Sequence, residues 1–94
     1  MTDLASVRAT VHGHVQGIGF RYSTSRYAIE SGLTGYVRNL SGGAAVEVEA
    51  EGERDRLEKL IEYLEAGVPG ARVERVDVNW SEYRGNYPDF SIRR

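Results

Sequence analysis

Between Val46 and Leu64 the spacing of the apolar side chains changes from two to between three and four. Val46, Val48 and Ala50 alternate with Glu47, Glu49 and Glu51, the period of a strand with one apolar face. From Glu53 to Ala66 the residues Leu57, Leu60, Ile61 and Leu64 form one stripe along a helix, and Gly67 followed by Pro69-Gly70 ends it. A strand with one apolar face and a helix with one apolar stripe each need a cover, and each can cover the other. That restricts the chain to a layered arrangement of helix on sheet.

The remaining segments fill in the order. From Val7, the residues Val7, Ala9, Val11 and then Val15 alternate with Arg8, Thr10 and His12, which predicts a first strand. It leads into Gly13-His14-Val15-Gln16-Gly17-Ile18-Gly19. Phe20 to Ser31 reads as a helix with Phe20, Thr24, Tyr27, Ala28 and Ser31 at helical spacing, stopped by Gly32. Leu33 to Leu40 reads as the second strand, and Ser41-Gly42-Gly43-Ala44 turns it into the Val46 strand as an antiparallel hairpin. Val76, Val78 and Trp80 mark a fourth strand. Val73 is out of its register, which predicts a bulge near Glu74-Arg75. Phe90 and Ile92 mark a short terminal strand. The predicted fold is α+β: a ferredoxin-like β-α-β-β-α-β sandwich, an antiparallel sheet with two helices on one face, plus the terminal strand.

The chain has 94 residues, matching one domain over 1–94, with 12 basic and 14 acidic side chains. A net charge of −2 speaks against a nucleic-acid binder, which is normally basic. The absence of cysteine excludes disulfides, thiolate metal sites and a thiol nucleophile. No stretch has the character of a signal peptide or a membrane span, so a cytoplasmic location without membrane association is expected.

Two segments can carry chemistry. A glycine-rich turn from a strand into a helix can aim several backbone N–H groups at one point, and the helix N-terminus adds partial positive charge; together they form an anion cradle. Arg21, in the first helical turn, can add a planar fork that holds two phosphate oxygens. Strand-to-helix loops also use glycine for the turn alone, and the spacing by itself leaves both readings open. A dinucleotide fold is excluded by the downstream hairpin, and a nucleotide P-loop by the missing Lys-Ser/Thr. The second segment is Gly35-Tyr36-Val37-Arg38-Asn39. Asn39 offers an acceptor and two donors in one plane, suited to holding a water, although Asn before a turn also helps the turn itself.

Taken together, Val11-His12-Gly13-His14-Val15-Gln16-Gly17-Ile18-Gly19-Phe20-Arg21 and Gly35-Tyr36-Val37-Arg38-Asn39 resemble the acylphosphatase family. The first matches its G-x-V-Q-G-x-x-F-R signature and the second its G-aromatic-V-R-N signature. Length, element order and Phe90-x-Ile92 extend the resemblance over nearly the whole chain. It implies hydrolysis of a carboxyl-phosphate anhydride to carboxylate and inorganic phosphate. It also implies that Arg21 and the amides of Val15, Gln16, Gly17, Ile18, Gly19 and Phe20 hold the phosphate, while Asn39 positions the water. No metal and no cofactor are implied. The expected partner is a small acyl phosphate, and the expected state is a monomer. The chain departs from the pattern at Ile18, where Val or His is usual, and at Leu40, where a small hydroxyl residue is frequent. It also has one extra residue between Asn39 and Gly52, most simply in Gly42-Gly43-Ala44, where it should leave the site alone.

The other polar features have simpler readings. His12 and His14 share a strand side but have no third metal ligand nearby. Arg38 should point away from Asn39. Glu47, Glu49 and Glu51 read as a solvated sheet face, and Trp80 as core. Tyr83 and Tyr87 flank Gly85-Asn86 and can shape that loop. Two other functions fit the same element order. One is a non-catalytic anion-binding module, which would bind phosphate without turnover. The other is an RNA-binding sheet, which needs stacking aromatics where the third strand has glutamates.

Overall fold

The computed structural model describes residues 3–66 and 68–93, so the predicted helix stop at Gly67 lies outside the described residues. The elements are β1 (Leu4–His14), α1 (Phe20–Glu30), β2 (Thr34–Asn39), β3 (Ala45–Glu53), α2 (Arg54–Ala66), β4 (Arg72–Glu82) and β5 (Phe90–Arg93). The sheet order is β4-β1-β3-β2-β5. The first four strands pair antiparallel, as expected. The terminal strand β5 runs parallel to β2, Gly35 opposite Phe90 and Val37 opposite Ile92, so the five-stranded sheet is mixed.

The alternation seen in the sequence sorts the two faces of the sheet. Val7, Ala9 and Val11 of β1, Val37 of β2 and Val46, Val48 and Ala50 of β3 are buried with Phe20 and Ala28 of α1 and Leu57, Leu60 and Leu64 of α2. Both helices therefore lie on one face. Full burial of each such Leu contributes about 1.5–3 kcal/mol.

Helix α1 has a polar core face, with Thr24 and Ser25 buried beside Phe20 and Ala28. Tyr27 completes the contact by stacking on Tyr63 of α2, ring centroids 4.3 Å apart. The helix ends in paired backbone bonds, Leu33 N–H to Ala28 O at 2.9 Å and Gly32 N–H to Ile29 O at 3.0 Å. Gly32 at φ 73° supplies the left-handed residue this stop requires. The bulge predicted on β4 is present: His12 pairs with Arg75 and Gly13 with Val73, leaving Glu74 unmatched.

The sequence expectation differs from the structure at two places. Trp80 is only half-buried, because it lies on edge strand β4, and the Arg54 guanidinium covers its ring at 4.1 Å. The glutamates of β3 are not solvated. Glu51 is 2% exposed and accepts the backbone amides of Arg84 at 3.0 Å and Asn86 at 3.1 Å. Glu49 is bound by Arg8 and by the Tyr87 hydroxyl. Glu47 accepts from the Tyr36 hydroxyl and from Arg38, each at 2.8 Å. The segment after β4 thus folds back over the helix-free face, and each carboxylate is met there by hydrogen-bond donors. Burial pushes the Glu47 carboxyl up, but the bonds from Tyr36 and Arg38 outweigh it and leave its pKa below the ordinary value. Burial and the bond to Glu49 push the Tyr87 phenol up to about 12.

Candidate active site

The glycine-rich segment leaves β1 at His14 and enters α1 at Phe20. Gly17 at φ 78° and Gly19 at φ 79° both take the left-handed conformation, and Gly19 is the N-cap of α1. Open space surrounds the position a Cβ would occupy at either residue, so the backbone angle, not crowding, calls for glycine. The first bond of α1 runs from Ser23 N–H to Gly19 O at 3.0 Å, and no side chain caps the helix. The amides before Ser23 are therefore not used by the helix. Among the described residues, no protein acceptor takes the amides of residues 15–20.

Val15, Gly17, Gly19, Phe20, Arg21 and Asn39 line one shallow cavity of about 170 Å³, together with Tyr22 and Ile92. Arg21 and Asn39, distant in sequence, meet here because β2 lies beside β5 and the helix start packs over their ends. Arg21 donates from Nη1 to the Arg93 carbonyl at 3.3 Å, which leans the guanidinium toward the end of β5. Asn39 shares the helix side of β2 with Val37, and Arg38 takes the other side, as its bond to Glu47 shows. The Asn39 Oδ1 is buried and has no hydrogen-bond partner among the described residues. A buried acceptor left unbonded costs about 1–3 kcal/mol unless a ligand or water meets it.

Gln16 and Ile18 do not line the cavity with their side chains. Ile18 packs against the core. Gln16 turns toward the β2–β3 hairpin and bonds the carbonyls of Leu40 and Ala45. Tyr22 and Ile92 were not expected in the cavity. Tyr22 follows Arg21 and has a local signal as a bulky exposed neighbour, whereas Ile92 arrives only through the parallel pairing of β5. His12 binds Asp77 on the helix-free face at 2.9 Å. Among the described residues no cluster of three metal-ligating side chains forms, and no helix is long and apolar enough to cross a membrane.

Comparison with known proteins gives a consistent result. The family model for acylphosphatase matches residues 7–92. A protein of Pyrobaculum islandicum named acylphosphatase is 47% identical over 91 residues, covering 95% of this chain and 96% of that one. The structure of an acylphosphatase from Coxiella burnetii is 41% identical and superposes with a TM-score of 0.89 over 97% of this chain and 94% of that one. The crystal structure of acylphosphatase from Bacillus subtilis is 35% identical, with a TM-score of 0.90 over 98% of this chain and all of that one. Sequence signatures, sheet order and full-length similarity agree, and the chain belongs to the acylphosphatase family of enzymes.

Proposed function

We propose that this chain hydrolyses acyl phosphates by holding the phosphoryl group between Arg21 and the amides of residues 15–20 and placing a water at Asn39. The observation that carries the reading is the one cavity lined together by Arg21, Asn39 and the loop residues Val15, Gly17, Gly19 and Phe20, whose amides no acceptor among the described residues takes. The amides and the helix terminus supply fixed positive potential, and the Arg21 fork supplies a charge and two donors. The net charge of −2 gives no general attraction for an anion, so the attraction is local.

The chemistry asks little more of the protein. The Asn39 side-chain amide holds the water by hydrogen bonding and aims its oxygen at phosphorus. The bond from phosphorus to the bridging oxygen breaks, and the carboxylate leaves as a weak base. A phosphoryl oxygen of the substrate takes the water's proton, so no side-chain base is needed. Because the leaving group is already good, positioning and charge stabilisation suffice, without a metal. Tyr22 and Ile92, both exposed, give the cavity an apolar wall against which the acyl substituent lies.

The test is hydrolysis of benzoyl phosphate in excess chelator by the wild type and by Asn39→Ala. The wild type turns over, and Asn39→Ala loses on the order of 100-fold or more in kcat, the cost of removing a positioned polar group at a reacting centre. A fully active Asn39→Ala would overturn the water-positioning role, and phosphate binding without any turnover would make the chain an anion-binding module.

A further inference from the structure

We propose that the Gln16 side chain is a positioning residue that fixes the phosphate loop and Asn39 in one register; the inference rests on the hydrolytic reading above. Gln16 sits within the loop that follows β1, half-buried, and its amide nitrogen has two protons to donate. Both are used: Nε2 lies 2.9 Å from Leu40 O and 2.8 Å from Ala45 O. These two residues face each other at the base of the β2–β3 turn, where Leu40 N–H bonds Ala45 O at 3.0 Å. Leu40 directly follows Asn39. One side chain of the cradle thus closes the end of the hairpin that carries the water-positioning residue.

Asn39 needs such a fixture. Among the described residues its Oδ1 has no hydrogen-bond partner, so the place of Asn39 at the cavity is set by the backbone of β2. The next side chain is Leu40, which has no hydroxyl to brace it. The β1–β3 ladder ends at His12 opposite Ala45, and beyond it Gly13 N–H bonds Ala44 O at 3.0 Å; these ties hold β3 and the turn rather than β2. Arg21 and the loop amides, by contrast, make no bond to the Gln16 side chain, whose two bonds both go to the hairpin. Loss of the side-chain amide should therefore let Asn39 drift relative to the bound phosphoryl group while leaving the phosphate seat intact.

The experiment compares wild type with Gln16→Met, which matches the length without donors, and Gln16→Glu, whose carboxylate faces two carbonyl oxygens. In Gln16→Met, kcat for benzoyl phosphate falls about tenfold to 100-fold, as for small misplacements of catalytic groups, while inhibition by inorganic phosphate changes by less than about threefold. In Gln16→Glu the loss relative to wild type shrinks as pH falls and the protonated carboxyl regains one donor, which a purely structural defect does not do. In amide NMR spectra, added phosphate shifts the loop amides and the Asn39 side-chain resonances of the wild type together. In Gln16→Met it shifts the loop amides alone. Unchanged kcat in a folded Gln16→Met, or equal losses in kcat and phosphate affinity, overturn the inference. If Gln16→Met does not fold, Gln16→Asn keeps the amide but is too short to span both carbonyls, and is read the same way. Should Asn39→Ala prove fully active, the water-positioning role fails on its own, and the NMR comparison still decides whether Gln16 sets the position of Asn39.

Discussion

Gly35 of β2 approaches the backbone of Glu49 on β3 so closely that a Cβ at position 35 would overlap the Glu49 carbonyl oxygen and lie 2.9 Å from Ala50 Cα. Its φ of 139° is also one that side chains rarely adopt. The first glycine of the Gly35-to-Asn39 signature therefore serves packing, and it lets β2 sit at the depth where Asn39 enters the cavity.

Gly35→Ala should accordingly destabilise the protein by about 1–3 kcal/mol or more, the usual cost of overpacking with added backbone strain. Urea unfolding measures the loss. In protein that remains folded, turnover should fall more than the unfolded fraction explains, because displacement of β2 moves Asn39.

Arg21→Lys keeps the charge but removes the planar fork. Affinity for inorganic phosphate should fall about tenfold or more, equivalent to about 1.4 kcal/mol, the difference between a bidentate contact and a point charge. Competitive inhibition by phosphate checks this, and the thermal midpoint should move little, because among the described residues Arg21 makes one long side-chain bond, 3.3 Å to Arg93 O.

Glu47→Gln probes the helix-free face. Burial raises the Glu47 pKa, but donors from Tyr36 and Arg38 outweigh it and hold the folded-state value below the ordinary 4.5. A lowered folded-state pKa means that stability is present above the unfolded value and is lost as pH falls through the folded one. The substitution should cost about 1–3 kcal/mol near neutral pH. That cost should shrink steadily as pH drops below the ordinary carboxylate range. Parallel urea titrations of the two proteins at neutral and acidic pH give the difference directly.

Much of this was legible because single residues carried it. The Leu57 stripe, the Val46 alternation and the misfit of Val73 all report local periodicity, and periodicity reflects which face of an element is covered by the core. The bulge at Glu74 was visible from Val73 alone. Arg21 and Asn39 were legible as residue types, and the structure places both against one cavity. What escaped depended on a distant segment arriving. Glu51 is spaced like a solvated residue, and nothing near it in sequence says that Arg84 and Asn86 will bring it two amides. The direction of β5 was equally hidden, since Phe90 and Ile92 alternate alike in a parallel or an antiparallel pair, and Ile92 reaches the cavity only in the observed one. The extra residue near Gly42-Gly43-Ala44 was expected to be remote from the site. The turn is exposed, but both its flanking carbonyls are held by Gln16, so its two ends are tied to the cradle.

The strand order β4-β1-β3-β2-β5 also has a kinetic meaning. Only β2 and β3 are neighbours both in the chain and in the sheet, so theirs is the one pairing that closes a short loop. Every other pairing must first overcome the entropy of a longer closure. The hairpin whose first strand ends at Asn39 is thus expected to form fastest, with β1 and its glycine loop docking onto it later. The glycine loop and Asn39 thus belong to units on opposite sides of a slow closure, and the cavity they line together forms only once β1 has docked.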